Sequence, residues 1–180
     1  MKPAEAHVRW GAGFQTSFIT TQSDEEREVN KKGLGIAGTV GASWAFDDAS
    51  FLRLGLGLES RQIKGDTSSF TQEVKTRGSF LNGSYHWALG AIELGPQLVL
   101  TRGKAASLRA EDADSIQTVL AFGPEIAKRW TTESGDLLAF LAVTQDLNVD
   151  HQANRSFTVG LQLWLKESTP QSSEIPEIKE

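Results

Sequence analysis

The chain has 180 residues, with 18 Lys and Arg against 23 Asp and Glu, and the resulting formal charge of −5 argues against a nucleic-acid surface. It has no cysteine, so neither a disulfide framework nor a cysteine-based zinc site is available. No run approaches the roughly 18 apolar residues of a membrane-spanning helix, which leaves alternating strands as the way a chain like this crosses a bilayer.

Eight runs alternate with period two, the signature of strands with two unlike faces. The first, Val8 to Thr20, sets Val8, Trp10, Ala12, Phe14, Thr16 and Phe18 against Arg9, Gly11, Gly13, Gln15 and Ser17. A polar loop, Thr21 to Gly33, follows. Runs two and three, between Leu34 and Leu58, show the pattern most clearly. Leu34, Ile36, Val40, Trp44, Phe46, Leu52, Leu54, Leu56 and Leu58 share one parity, while Gly, Ala, Ser and Thr dominate the other, joined by Arg53. Asp47 to Ser50 joins these two runs as a hairpin turn. A second long loop is expected from Arg61 to Lys75.

Run four ends with Leu81, Gly83, Tyr85, Trp87 and Leu89 opposed to Asn82, Ser84 and His86. Gly90 and Ala91 alone separate it from run five, where Ile92, Leu94, Pro96, Leu98 and Leu100 oppose Glu93, Gly95, Gln97 and Val99. A third long loop spans Arg102 to Ser115. Run six sets Ile116, Leu120, Phe122, Pro124 and Ile126 against Gln117, Ala121, Glu125, Ala127 and Arg129. After a turn at Thr131 to Asp136, run seven opposes Leu137, Ala139, Leu141 and Val143 to Leu138, Phe140, Ala142 and Thr144. A last loop covers Asn148 to Arg155. Run eight sets Phe157, Val159, Leu161, Leu163 and Leu165 against Thr158, Gly160, Gln162, Trp164 and Lys166. The remainder is polar, with Pro170 and Pro176, and reads as a linker or tail. The organisation is therefore a lead over residues 1–7, a barrel over 8–166 and a tail over 167–180.

Short and long connections alternate, which puts the short turns and both termini at one end of an up-and-down meander. Two closed eight-stranded barrels fit this pattern. A soluble lipocalin-like carrier turns the apolar face inward around an apolar ligand; a membrane barrel turns it outward to lipid. Three features favour the membrane barrel. The polar face is small and poor in lysine, as a narrow lumen requires. The apolar face is nearly uncharged along its middle. Trp10, Trp44, Trp87 and Trp130 all fall on the apolar face near the short-turn end, where an indole suits a lipid–water boundary, so they form an expected aromatic girdle. Pro96 and Pro124 sit in mid-run, where a proline omits a ladder bond, and the sequence offers no reason for them.

In strand number, loop alternation, aromatic girdle and charged lumen, the stretch from Val8 to Leu165 resembles the eight-stranded OmpA-type outer-membrane β-barrel. The resemblance implies an all-β antiparallel transmembrane barrel in the bacterial outer membrane, with short periplasmic turns and long extracellular loops. It implies a structural anchor tied to peptidoglycan through a C-terminal domain beyond residue 180, with small-ion conductance as a secondary role. The partners it implies are the lipid bilayer and lipopolysaccharide, and peptidoglycan through that domain; a monomer is expected. Met1 runs straight into Lys2-Pro3-Ala4-Glu5, so an export signal is expected to have been removed upstream.

The inward parity collects Arg9, Arg53, Glu59, His86, Glu93, Glu125, Arg129 and Lys166. Buried charges need partners, so a lumen salt-bridge network is expected, with Glu93–Arg129 the first pair and Arg53 joining Glu93 or Glu125. It reads as a plug more readily than as an ion gate. Catalysis is not expected. His7, His86 and His151 are scattered, and His86 is followed by Trp87 and Ala88 rather than by a His-x-Ser pattern. No metal or other cofactor is expected. A barrel enzyme acting on lipid is the weaker alternative, and the loops read as solvated surface before they read as an adhesive one.

Overall fold

The computed structural model describes residues 8–21, 30–46, 49–66, 71–104, 116–147 and 154–166. Eight antiparallel strands follow one another in chain order: β1 (Val8–Thr21), β2 (Asn30–Ala45), β3 (Ser50–Asp66), β4 (Thr71–Leu89), β5 (Ile92–Lys104), β6 (Ile116–Thr131), β7 (Gly135–Asp146) and β8 (Asn154–Leu165). Each pairs with its chain neighbours, and β1 closes on β8, so the barrel has no open edge along its closed ladder.

The register fixes the tilt. One row runs Trp10–Ala42–Leu54–Gly83–Leu98–Phe122–Gln145–Arg155 and re-enters β1 at Thr20. A circuit thus climbs from Trp10 to Thr20 on the same strand, the stagger that a closed barrel of tilted strands demands.

The apolar parity faces outward. Leu58 is 74% exposed, Leu89 67% and Trp10 66%, and Leu56, Val40, Phe14, Leu161 and Leu165 stand on the same surface. A lipocalin-type barrel would bury these side chains, so that alternative is excluded by the orientation of the faces. The inward parity is buried and small, and at three of its glycines a neighbouring aromatic ring takes the space. Phe80 lies over Gly57, Phe140 over Gly160 and Trp164 over Gly11.

Three expected loops are shorter than the sequence suggested. The Arg61 to Lys75 stretch is mostly hairpin, since β3 runs to Asp66 and β4 starts at Thr71. The Thr21 to Gly33 loop likewise gives way to β2 at Asn30, and β5 continues to Lys104. Beyond the apolar band both faces of a strand are polar, so pairing continues while the alternation that marks it in sequence disappears. At the other end, Gly90 and Ala91 make a two-residue turn between Leu89 and Ile92. Gly90 has φ 68° and Ala91 does not need a positive φ, as in a type II′ hairpin.

The mid-strand prolines have a structural explanation. Pro96 and Pro124 face each other across β5 and β6. On the far side of each, the ladder is interrupted: β4–β5 pairing stops between Ser84–Gln97 and Trp87–Leu94, and β6–β7 pairing stops between Phe122–Gln145 and Glu125–Ala142. The interruptions fall where the missing N–H would have pointed. Gly95 and Gly123, just before the prolines, pack directly on the carbonyls of Tyr85 and Val143, leaving no room for a Cβ.

Candidate functional site: the lumen plug

The inward positions of five strands bring charge together in the short-turn half of the lumen. Glu93 of β5, fully buried, accepts from Arg53 Nη2 of β3 and from Arg129 Nε (2.5 Å) and Nη2 of β6. Arg53 Nη1 is 3.8 Å from Glu125 Oε1 of β6. Arg9 Nη1 of β1 donates to Asp136 Oδ2 of β7 at 2.7 Å, and Arg129 Nε approaches the same oxygen at 3.8 Å. Arg9 also donates to the carbonyls of Trp164 (3.3 Å) and Leu165 (3.4 Å). Three guanidiniums thus meet three carboxylates, which neutralises the charge that burial would otherwise make costly.

Aromatic rings complete the packing. Arg129 stacks over Phe51 at 4.5 Å, and Arg53 lies 5.8 Å from Phe51 and 5.9 Å from Trp164. Guanidinium is the cation best suited to such faces, because it is planar and weakly hydrated. Trp164 donates to Gln162 at 3.2 Å and joins Ala127, Leu138, Phe140 and Ala142 in a buried cluster. Above the charges, a cavity of about 10 Å³ is lined by Thr39, Arg53, Asn82, Ser84, Gln162 and Trp164. That volume suits one water at most.

The other sequence-selected residues lie elsewhere. Glu59 bonds Arg61 at 2.8 Å toward the loop end, apart from the plug. Lys166 is exposed just past β8, not in the lumen, because the barrel wall ends before it. Its backbone N–H donates to Ser134. Trp10, Trp87 and Trp130 are exposed on the outer wall near the turn ends of β1, β4 and β6, and Trp44 is half-buried one residue before the end of β2. Lys128 lies over Trp130 at 5.2 Å.

His86 has no exposed surface; its Nε2 is 2.8 Å from Ser84 Oγ and 3.5 Å from Glu125 Oε1. Both neighbours meet the same ring nitrogen. A serine–histidine–acid relay needs them on opposite nitrogens, so this trio cannot pass a proton from serine toward the acid. His7 and His151 lie outside the described residues. Among the described residues no cluster of His, Asp and Glu could hold a metal ion, and no helix is long and apolar enough to cross a membrane.

Asp136 and Trp164 were not singled out by the sequence. Asp136 sits where a turn was expected, yet it shares parity with Leu138 and Phe140, and that parity was the available signal. Trp164 has the inward parity of Gln162, but an indole inside a narrow lumen is legible only once Gly11 is seen beneath it.

Outward apolar side chains, a closed eight-stranded wall and a neutralised, packed lumen together define the fold of a small bacterial outer-membrane β-barrel. Among solved structures, the chain is similar to Ail, the attachment invasion locus protein of Yersinia pestis, in complex with the heparin analogue sucrose octasulfate. The TM-score is 0.53 with 8% identity over 88% of this chain and 99% of that one. It is also similar to Neisserial surface protein A, NspA, with a TM-score of 0.51 and 15% identity over 86% of this chain and 96% of the other. No family model matches the chain, and no curated protein matches it.

Proposed function

We propose that this protein is a structural barrel of the bacterial outer membrane: a closed, lipid-embedded anchor that holds its loops on the outside. The observation that carries the reading is the pairing of an outward apolar wall with a lumen filled by balanced charges and aromatic rings. Such a wall suits a lipid surround, and the cavity beside Arg53 in that lumen has room for about one water. The tail at 167–180 would lead on to a peptidoglycan-binding domain. The test is far-UV circular dichroism in buffer and in detergent, with gel mobility before and after boiling. A β signal that needs detergent and a heat-shifted band are expected; a cooperative β fold in plain buffer would overturn the reading. Co-sedimentation of the longest natural form of the chain with purified peptidoglycan tests the anchoring role, and absence of co-sedimentation would remove it.

A second reading, small-ion conductance, draws on one feature. Arg53 stands between two carboxylates, bonded to Glu93 and 3.8 Å from Glu125, so it has a second partner to turn to. Planar-bilayer recording of the intact barrel distinguishes the two, since a structural plug gives no single-channel steps.

A further inference from the structure

Pro96 and Pro124 pair with each other across β5 and β6. Two residues without N–H groups pair only where neither would donate across that ladder. The bare nitrogen of Pro96 therefore faces β4, and that of Pro124 faces β7. The β4–β5 register sets Tyr85 opposite Pro96 and His86 opposite Gly95, and neither couple is a ladder pair. The Tyr85 carbonyl packs on Gly95 instead of meeting a donor at position 96. Between this gap and the turn, only Trp87–Leu94, Ala88–Glu93 and Leu89–Ile92 hold β4 to β5. Beyond the β6–β7 gap, by contrast, pairing runs on from Glu125–Ala142 to Thr131–Asp136. The β4–β5 seam is the weaker line in the wall.

Side chains bridge that seam from inside. Arg53 of β3 reaches over β4 to Glu93 of β5, and its Nη1 is 3.8 Å from Glu125 of β6. His86 of β4 reaches over Gly95 to Glu125, with 3.5 Å between Nε2 and Oε1. Arg53 shares a row with Ser84 and Gln97, the last pair before the gap. Glu125 is in the row of the gap itself, opposite Gly95, and Glu93 is in the second row past it. Outside, the half-buried Tyr85 ring has Phe46 at 6.1 Å and Trp87 at 5.0 Å, so aromatic rings cover the same place. The buried charges thus stand where the ladder lacks a bond, and each compensates for the other's cost. We propose that the β4–β5 seam is a lateral slit in the wall, with Arg53, Glu93 and Glu125 as the clasp that holds it shut. The network then governs a sideways opening between the lumen and the surrounding bilayer, besides filling the lumen. When Arg53 leaves Glu93, the strands part at Tyr85 and Pro96 and uncover His86, which has no exposed surface in the closed wall. The proposal takes its bilayer from the membrane reading above and depends on neither anchoring nor conductance along the axis.

The test is amide hydrogen exchange, read residue by residue by NMR on the full chain in phospholipid nanodiscs. The amides of Trp87 and Leu94, beside the seam, are the reporters; the ladder amides of β1 and β2 are the control. Glu93→Gln is expected to speed exchange at the reporters at least about tenfold relative to the control, because the unpaired charge loosens the seam first. Pro96→Val supplies an N–H opposite the Tyr85 carbonyl. It is expected to slow the reporters about fivefold, the worth of one net hydrogen bond, and to reverse part of the effect of Glu93→Gln. A heat-shifted gel band establishes that each variant is folded. Where Glu93→Gln does not fold, Pro96→Val against the unmodified chain decides. Equal acceleration of reporters and control, no acceleration, or reporters unmoved by Pro96→Val overturns the proposal. Loss of folding on Pro96→Val overturns it too, since the proline would then be required by packing. A chain that folds in plain buffer would instead sink the membrane reading, so the two failures are distinguishable.

Discussion

Arg53 and Glu93 meet across the lumen from strands that are not neighbours: β4 stands between β3 and β5, and the two side chains bridge it from inside. The side chains are 6% and 0% exposed. Glu93 also holds Arg129, so one carboxylate ties three strands together. Removing it leaves two guanidiniums with too little negative charge nearby.

Glu93→Gln is therefore expected to destabilise the barrel by about 3–5 kcal/mol, the usual cost of leaving a buried partner unpaired. Arg53→Met should cost a similar amount alone. Together they should cost less than the sum by about 0.5–3 kcal/mol, because each removes the other's unpaired partner. Urea unfolding of the barrel in detergent, followed by tryptophan fluorescence, gives all three values. Strict additivity would mean that the bridge is not a coupled unit.

Glycines on the two faces should respond oppositely to a methyl group. At Gly95 a Cβ would collide with the Tyr85 carbonyl beside the Pro96 interruption, whereas at Gly38 it would meet nothing within 4 Å. Gly95→Ala is expected to cost about 1–3 kcal/mol as overpacking. Gly38→Ala should change stability by less than about 0.5 kcal/mol. The same unfolding measurement separates them, and equal effects would contradict the close approach at Gly95.

Strand number, closure and the choice of outer face were legible in the sequence because lipid and lumen impose opposite demands on alternate residues over most of each strand. The alternation Leu52–Leu54–Leu56–Leu58 against Arg53–Gly55–Gly57–Glu59 carries that demand openly. The hairpin above it does not. From Glu59 to Asp66 the one bulky apolar side chain is Ile63, so the alternation is lost and β3 looked like loop from Arg61, although its ladder continues to Asp66–Thr71. The charged members of the plug were visible by parity, but their partners were not, since Arg53 reaches Glu93 over β4 and only the register brings them level. The Gly-Pro pairs were unreadable for the same reason: Pro96 and Pro124 become one feature only when β5 and β6 are aligned.

Four of the five tryptophans should divide into two classes, half-buried Trp44 standing apart. Trp10, Trp87 and Trp130 are exposed on the outer wall, while Trp164 is 5% exposed inside it. In single-tryptophan variants reconstituted into vesicles, lipids brominated near the headgroup should quench the outer three strongly and leave Trp164 nearly unquenched. Quenching of Trp164 to the same degree would place lipid in the lumen and refute the inward assignment of that face.

Depth along the wall gives the most direct test of how the barrel sits in a bilayer. Leu56 lies mid-strand on β3, opposite Val40 and Leu81, and is 61% exposed. Leu34 lies on the same outer surface but only two residues from Lys32, at the margin of the apolar band. A guanidinium at the hydrocarbon midplane is costly, and the cost falls as the side chain nears the headgroups. Leu56→Arg is therefore expected to cost about 2–4 kcal/mol and Leu34→Arg about 0–1 kcal/mol. Reversible folding into phospholipid vesicles, titrated with guanidinium chloride, measures both. A large difference with Leu56 the worse site fixes the bilayer midplane near the middle of β3. Equal, small costs would mean that neither side chain faces hydrocarbon, and the outward apolar band would then need a partner other than lipid.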